Sequence, residues 1–207
     1  MVNNSQDIIV RRAKKDDDFK KIAELLYKTD SYIYPYWFGS LKNCMNELPS
    51  LMLEAKFFFY YKHLFVAIKN NVIVGVVCIV DKGTDLSYDY SKLKAYNERY
   101  CFTIVNYIEG LIKEVQGADF AYISNVCVDE NYRGMHIGNY MVSNIIDVYK
   151  DNMFQKIVLD VLADNPGAIK LYQNLGFEQF TEVFKGFNNP SKDKPNVFSM
   201  QAELRRD

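Results

Sequence analysis

The spacing of apolar residues predicts that short strands and amphipathic helices follow one another along the chain. Ile8–Val10 is a first apolar strand, and the acids Asp16–Asp18 are suited to cap a helix that runs from Phe19 to about Lys28. A second helix is predicted from about Leu41 to Lys56. Between the two helices, the aromatic segment Ser31–Ser40 contains a proline and a glycine, which excludes a long regular element there.

The middle of the chain contains a predicted hairpin followed by a predicted helix. Leu64–Ile68 and Val72–Val80 are rich in β-formers, and Asn70-Asn71 between them suits a tight turn. Apolar residues at helical spacing predict a helix over Ser91–Val115. We interpret about 86–115 as a helical insertion that could cover a site.

Strands and helices alternate in the second half. The predicted order is strand Phe120–Val128, helix Gly138–Lys150, strand Ile157–Ala163, helix Pro166–Asn174, strand Phe177–Phe184, polar turn Asn188–Lys194 and strand Val197–Leu204. An order that is mixed at first and alternating later predicts one α/β or α+β domain over residues 1–207, with a sheet covered by helices.

Composition narrows the class of protein. The net charge is −1, which argues against a nucleic-acid binder because such proteins usually carry a basic excess. The N-terminus lacks a signal-peptide core, and the longest apolar run is too short for a bilayer, so we expect no membrane segment and a cytoplasmic protein. The four Cys form no CxxC pair and there are two His, so we expect no metal site.

One segment has the pattern of an anion-binding loop. Val126–Gly138 reads as a strand end, a polar turn, a loop with glycines and a helix start. Backbone N–H groups and the helix dipole at such a junction can hold a diphosphate. The pattern alone is weak evidence, because similar junctions occur without a ligand and the GxGxxG and GK[ST] spacings are absent.

A second segment, Asn165–Phe177, follows after one more predicted strand. Here the sequence resembles the GCN5-related N-acetyltransferase (GNAT) superfamily. The first segment is similar to its Q/R-x-x-G-x-G/A loop as Arg133-x-x-His136-x-Gly138, with His136 in place of the middle glycine. The second is similar to its N-x-x-A-x-x-L-Y-x-x-x-G-F signature, matched at Asn165, Ala168, Leu171, Tyr172, Gly176 and Phe177.

The resemblance implies a fold and a cofactor site. The implied fold is a mixed, mostly antiparallel sheet flanked by helices, with a splay between the strand that ends at Val128 and the strand Ile157–Ala163. The implied acyl donor is acetyl-CoA. Its implied contacts are Val126, Cys127, Val128, Arg133, Gly134, Met135, His136, Ile137, Gly138, Asn139, Asn165, Ala168 and Tyr172.

The resemblance also implies a reaction, namely direct attack of a primary amine on the thioester. Tyr172 stands at the family's position for the acid that protonates the departing thiolate, and a phenol with a pKa near 10 keeps its proton at neutral pH. A backbone N–H of Val126–Val128 would stabilise the oxyanion. Some members carry a glutamate base at the position of Tyr122, so the base is open here.

The acceptor site is expected in the N-terminal half. Candidate bases or amine anchors there are Glu47, Glu54, Glu98 and Glu109. Rings that could enclose an acceptor are Tyr32, Tyr34, Tyr36 and Trp37, although helix packing is an equal explanation for them. We expect a small-molecule or peptide amine as acceptor, and the chain is compatible with a homodimer.

Two other functions stay open from the sequence. Because the strand glutamate is missing, a non-catalytic module that binds or senses acyl-CoA is one alternative. The other is a transferase for a different acyl donor, such as succinyl- or propionyl-CoA, since the size of the acyl pocket sets that preference.

Overall fold

The computed structural model describes residues 8–89, 119–152, 154–185 and 195–204. Its helices are α1 (Phe19–Tyr27), α2 (Ile33–Phe38), α3 (Leu41–Leu51), α4 (Ile137–Asp151) and α5 (Pro166–Asn174). Its strands are β1 (Ile8–Arg12), β2 (Leu64–Lys69), β3 (Val72–Asp81), β4 (Phe120–Val128), β5 (Lys156–Leu162), β6 (Glu178–Gln179), β7 (Phe184–Lys185) and β8 (Asn196–Glu203). None of the helices in these ranges is both long and apolar enough to cross a bilayer.

The strands form one mixed sheet in the order β1-β2-β3-β4-β5-β8-β6, and β7 also pairs with β8. β4 and β5 are parallel, whereas the other paired strands of the described chain are antiparallel. The mostly antiparallel sheet with flanking helices is therefore confirmed. The Asn70-Asn71 hairpin turn is confirmed too, with both residues at positive φ.

The two parallel strands separate partway along their length. Their pairing ends at Ile123 and Leu159, although β4 continues to Val128 and β5 to Leu162. At the same level the register of β4 against β3 shifts, so that Ser124 is an extra, bulged residue. The gap between the strands is the splay that the family resemblance implies, and a bulge at this place redirects the side chains beside it.

Helices cover both faces of the sheet over two hydrophobic cores. On one face α1, α2 and α3 pack with many aromatic rings on the sheet, and on the other face α4 and α5 do so. α1 shows how the sequence directs this packing. Asp18 caps it by accepting a hydrogen bond from the Lys21 N–H, and Ile22 and Leu26 turn one apolar stripe toward the core.

Two predicted elements are shorter in the structure. The helix predicted to Lys56 ends at Leu51, and turns follow it, in which Lys56 has a φ of +71° that no helix residue can adopt. The strand predicted over Phe177–Phe184 is divided into β6 and β7, which pair with different parts of β8. Phe177 instead completes the cap of α5, where Gly176 has a φ of +85°.

Three further expectations lie wholly or mostly outside the described residues. These are the helix over 91–115, most of the insertion at about 86–115, and the polar turn over 188–194. Residues 84–89, just before the first of these, have no regular secondary structure.

Candidate active site

A cavity of about 350 Å³ opens where β4 and β5 separate. Both strands contribute to it, together with the segment from Thr29 to Trp37 and parts of α5, β7 and β8. Its lining includes polar and apolar groups, among them Thr29, Asp30, Ile33, Tyr34, Trp37, Tyr122, Ser124, Asn125, Val126, Asp160, Asn165, Ala168, Tyr172, Phe184, Lys185 and Val197.

A carboxylate from β5 enters this cavity next to Tyr122. The Tyr122 hydroxyl donates to Asp160 Oδ2 at 3.0 Å, and the Ser199 hydroxyl donates to Oδ1 at 2.6 Å. Both oxygens are therefore oriented by a hydroxyl. The family resemblance implies a glutamate at the position of Tyr122 in some members, and here a carboxylate from the neighbouring strand lies within hydrogen-bond distance of this tyrosine.

Asp160 was missed by the sequence reasoning. The sequence offered one signal, namely that Asp160 is an acid within the apolar run of β5. Because side chains alternate along a strand, Asp160 lies on the same face as Val158, toward α1–α3. Only the register of β5 against β8 places Ser199 directly opposite this acid. That pairing joins residues far apart in the chain and could not be deduced locally.

The bulge in β4 supplies a second polar group of the cavity. The Ser124 hydroxyl donates to Asn125 Oδ1 at 2.9 Å, and Asn125 Nδ2 donates to Thr29 Oγ1 at 2.9 Å. These hydrogen bonds link β4 to the residues that follow α1. Asp30 caps α2 by accepting from the N–H groups of Tyr32 and Ile33 at 2.6 and 2.8 Å.

The aromatic wall is smaller than expected. Tyr34 and Trp37 of α2 line the cavity and pack edge to face with ring centroids 5.5 Å apart. Tyr32 and Tyr36 are not part of the lining. Tyr34 and Trp37 are three residues apart on α2 and therefore share one face of the helix, whereas Tyr32 and Tyr36 do not lie on that face.

The glutamates that were candidate bases or anchors do not reach this cavity in the described chain. Glu47 and Glu54 lie on or after α3, which contributes nothing to the lining. The reason is geometric: α3 packs on α1 and lies away from the splay. Glu98 and Glu109 lie outside the described residues.

Tyr172 also lines the cavity and belongs to the hydrophobic core on the face covered by α4 and α5. It is buried on α5 against Phe177, with ring centroids 5.7 Å apart. Burial raises the pKa of Tyr172 above its ordinary value, because the phenolate is poorly solvated there. The phenol therefore holds its proton at neutral pH, as an acid must before it donates.

The predicted cofactor loop follows β4 on the surface. Arg133, Gly134, Met135 and His136 are exposed and lie outside the cavity lining, whereas Val126 belongs to it. Gly134 and His136 have φ values of +78° and +58°, and this left-handed backbone turns the chain into α4. The first N–H groups of α4 face this loop without intrahelical partners. The loop can thus hold an anion through its main chain.

Gly138 has a packing role beside its place in the loop motif. A Cβ there would approach Leu171 Cδ1 to 2.8 Å, so the glycine lets the start of α4 lie against α5. Ile137 is buried and Asn139 half-buried beside it. The Asn165 side chain accepts from the Ala168 N–H at 3.1 Å and is a helix cap. Contact of these residues with acetyl-CoA stays a prediction.

Comparison with known proteins agrees with this architecture. The acetyltransferase (GNAT) family model matches residues 29–177. The [ribosomal protein bS18]-alanine N-acetyltransferase of Escherichia coli K12 is 33% identical over 63 residues, which cover 30% of this chain and 43% of that protein. N-alpha-acetyltransferase 30 of Schizosaccharomyces pombe is 31% identical over 68 residues, covering 33% and 45%.

These matches span less than half the length of either relative. Among solved structures, the fold is similar to a chain of the NatC complex bound to Gag peptide and CoA, with a TM-score of 0.59 and 18% identity over 97% of this chain and 100% of that one. The family model covers well over half of the sequence, including both motif segments and the splayed strands. The chain belongs to the acetyltransferase (GNAT) family.

Proposed function

We propose that the protein is an acetyl-CoA-dependent N-acetyltransferase whose acceptor is the terminal α-amine of a peptide or protein. The observation that carries this proposal is the carboxylate of Asp160, oriented by Tyr122 and Ser199 in the same cavity as Tyr172. A proton acceptor and a proton donor at one cavity are what attack of an amine on a thioester requires.

The cofactor side of the proposal rests on backbone geometry. Beyond Ile123 and Leu159 the facing edges of β4 and β5 are not paired with each other. Those edges can hydrogen-bond the amide groups of a pantetheine arm as a strand would. The diphosphate would then lie at the start of α4, where the loop from Arg133 to His136 presents main-chain N–H groups.

The proposed reaction transfers one acetyl group, removes two protons from the ammonium and delivers one proton to the thiolate. Asp160 accepts a proton from the bound ammonium, directly or through a water, and the neutral amine attacks the thioester carbonyl. A backbone N–H of Val126–Val128 stabilises the oxyanion that forms. The nitrogen of the tetrahedral intermediate loses its second proton to solvent, and collapse of the intermediate breaks the C–S bond. Tyr172 protonates the departing thiolate and regains its own proton from solvent. The products are the N-acetyl amide and CoA.

The acceptor class is supported by the cavity and by the relatives together. Ile33, Tyr34 and Trp37 give the cavity that contains the carboxylate an apolar wall, which suits an amine that carries an apolar side chain. The two relatives described above are named for acetylating a ribosomal-protein alanine and for N-alpha-acetylation. The matched structure holds a peptide as well as CoA.

The test combines binding with turnover. Isothermal titration should detect CoA binding, and a thiol-release assay with acetyl-CoA should find turnover with short peptides that have a free N-terminus. The same peptides with a blocked N-terminus are the matched control and should be inactive. Lysine, spermidine and aminoglycosides should be poorer acceptors, and turnover with them alone would contradict the peptide assignment.

The same assay separates the alternative of a non-catalytic acyl-CoA-binding module, which predicts binding without thiol release. That alternative was motivated by the missing glutamate on β4. Asp160 on the adjacent strand removes this motive, because a carboxylate reaches the cavity from β5 instead. Folded protein that binds no CoA at millimolar concentration would end both interpretations.

A further inference from the structure

A chain of ion pairs joins α1 to the residues at which the cofactor loop begins. The Lys21 ammonium lies 2.5 Å from Asp129 Oδ2 and 3.0 Å from Glu24. Lys28, at the C-terminal end of the same helix, contacts Glu24 at 2.8 Å and Glu130 at 3.5 Å. Side chains of one helix therefore hold two consecutive residues directly after β4.

Asp129 is the buried member of this chain. Its side chain is 7% exposed, and its backbone N–H donates to the Val74 carbonyl at 2.9 Å. Its Oδ1 accepts from the Asn131 N–H at 2.9 Å and so caps the 3-10 turn Glu130–Tyr132 that leads into the loop. Lys21 and Asn131 lower the pKa of Asp129, which keeps it ionised. A buried carboxylate depends on such a partner, because water cannot replace it.

The other end of α1 leads directly into the acceptor wall. Thr29 and Asp30 follow the helix and line the cavity, and Asp30 caps α2. Thr29 Oγ1 accepts from Asn125 on β4. This nine-residue helix is thus followed by the acceptor wall, and its side contacts the residues that precede the cofactor loop.

We propose that the Lys21–Asp129 ion pair is a positioning element that couples the cofactor loop to the acceptor wall. Filling of the loop by CoA fixes Asp129, and Lys21 then holds α1 and the residues 29–38 that follow it. Neither side chain lines the cavity. The proposal rests on the proposed function only in that CoA is the ligand of the loop.

The test uses Lys21→Met, with CoA itself as the probe. In the wild type, CoA should slow amide hydrogen exchange over residues 129–139 and also over 29–38. In Lys21→Met the CoA dissociation constant should rise by about tenfold, within the usual range of coupling between sites. The slowing over 29–38 should disappear. With acetyl-CoA saturating, the KM for the peptide should rise more than kcat falls.

Two variants serve as controls. Lys21→Arg keeps the cation and should retain the wild-type exchange pattern and CoA affinity within about threefold. Lys28→Met removes the longer contact to Glu130 and should leave the CoA affinity within about twofold, because that pair is more exposed. If Lys21→Met does not fold, Asp129→Asn, which keeps an acceptor for Asn131 and removes the charge, should give the same loss.

The coupling is overturned if the variant that removes the charge keeps its CoA affinity and CoA still slows amide hydrogen exchange over residues 29–38. If the wild-type protein binds CoA but releases no thiol with any amine, only the proposed function is overturned. The role of the ion pair is still tested by hydrogen exchange, which does not require turnover. Wild-type protein that binds no CoA would overturn both.

Discussion

The cofactor side and the acceptor side of the cavity are built in different ways. The proposed cofactor side comes from two short segments, one after β4 and one after β5, in which glycines, a helix cap and helix starts lie close together in sequence. The acceptor side is assembled from α2, β5, β7 and β8, which lie far apart in sequence. The main-chain anion site could therefore be predicted from the sequence. The carboxylate of the acceptor side could not, because its position depends on strand pairing.

The substitution with the largest expected effect removes the carboxylate of Asp160 on the acceptor side. Asp160→Asn keeps the size of the side chain but cannot accept the proton of the amine, so kcat/KM should fall by about a thousandfold. CoA affinity should stay within about twofold, because the variant leaves the loop of β4 and α4 intact. Steady-state thiol release measures kcat/KM, and isothermal titration measures the CoA affinity.

The matched control is Asp164→Asn, an exposed acid in the turn after β5. It should retain wild-type kinetics. Equal losses in both variants, or full activity in Asp160→Asn, would contradict the assignment of the proton acceptor and return the question to acids elsewhere in the chain.

A smaller loss is expected at the donor. Tyr172→Phe removes one hydroxyl and should lower kcat by about a hundredfold, since the thiolate can leave unprotonated at some cost. CoA affinity should fall much less than kcat. Tyr149→Phe is the comparison, because Tyr149 is also a buried tyrosine but donates to Asp81 at 3.0 Å away from the cavity. Unchanged turnover in Tyr172→Phe would refute the acid role.

On the cofactor side, Gly138→Ala tests packing against chemistry. The added Cβ overlaps Leu171 Cδ1, so the variant should lose about 1–3 kcal/mol in the free energy of unfolding and bind CoA more weakly. Urea unfolding and isothermal titration measure the two effects. Adding Leu171→Ala should recover CoA binding, and failure to do so would mean that the Cβ blocks the ligand directly.

The smallest expected effect is at His136. Its φ of +58° is costly for a residue with a Cβ, so His136→Gly should raise the free energy of unfolding by about 0.5–1 kcal/mol after the entropy of glycine is subtracted. His136→Ala keeps the Cβ and should give no such gain. If the glycine variant instead binds CoA markedly less tightly, the imidazole itself contributes to the site.

The sequence by itself determined the local elements and the cofactor motif. β4 and α5 were predicted with the bounds that they have, because Phe120–Val128 is a continuous β-rich run and Asn165-Pro166 is a strong helix start. Gly176, with a φ of +85°, follows the end of α5, where a left-handed residue favours glycine.

Tertiary structure alone decided the rest. Asp160, Tyr122 and Ser199 lie on three strands, and a shift of one residue in any pairing would turn one of them to the other face of the sheet. α3 ended at Leu51 and gave way to turns, and one predicted strand became two short strands that pair with different parts of β8. The spacing of apolar residues predicts which helix or strand each segment can form. Strand register and burial depend on contacts with segments that are distant in the sequence.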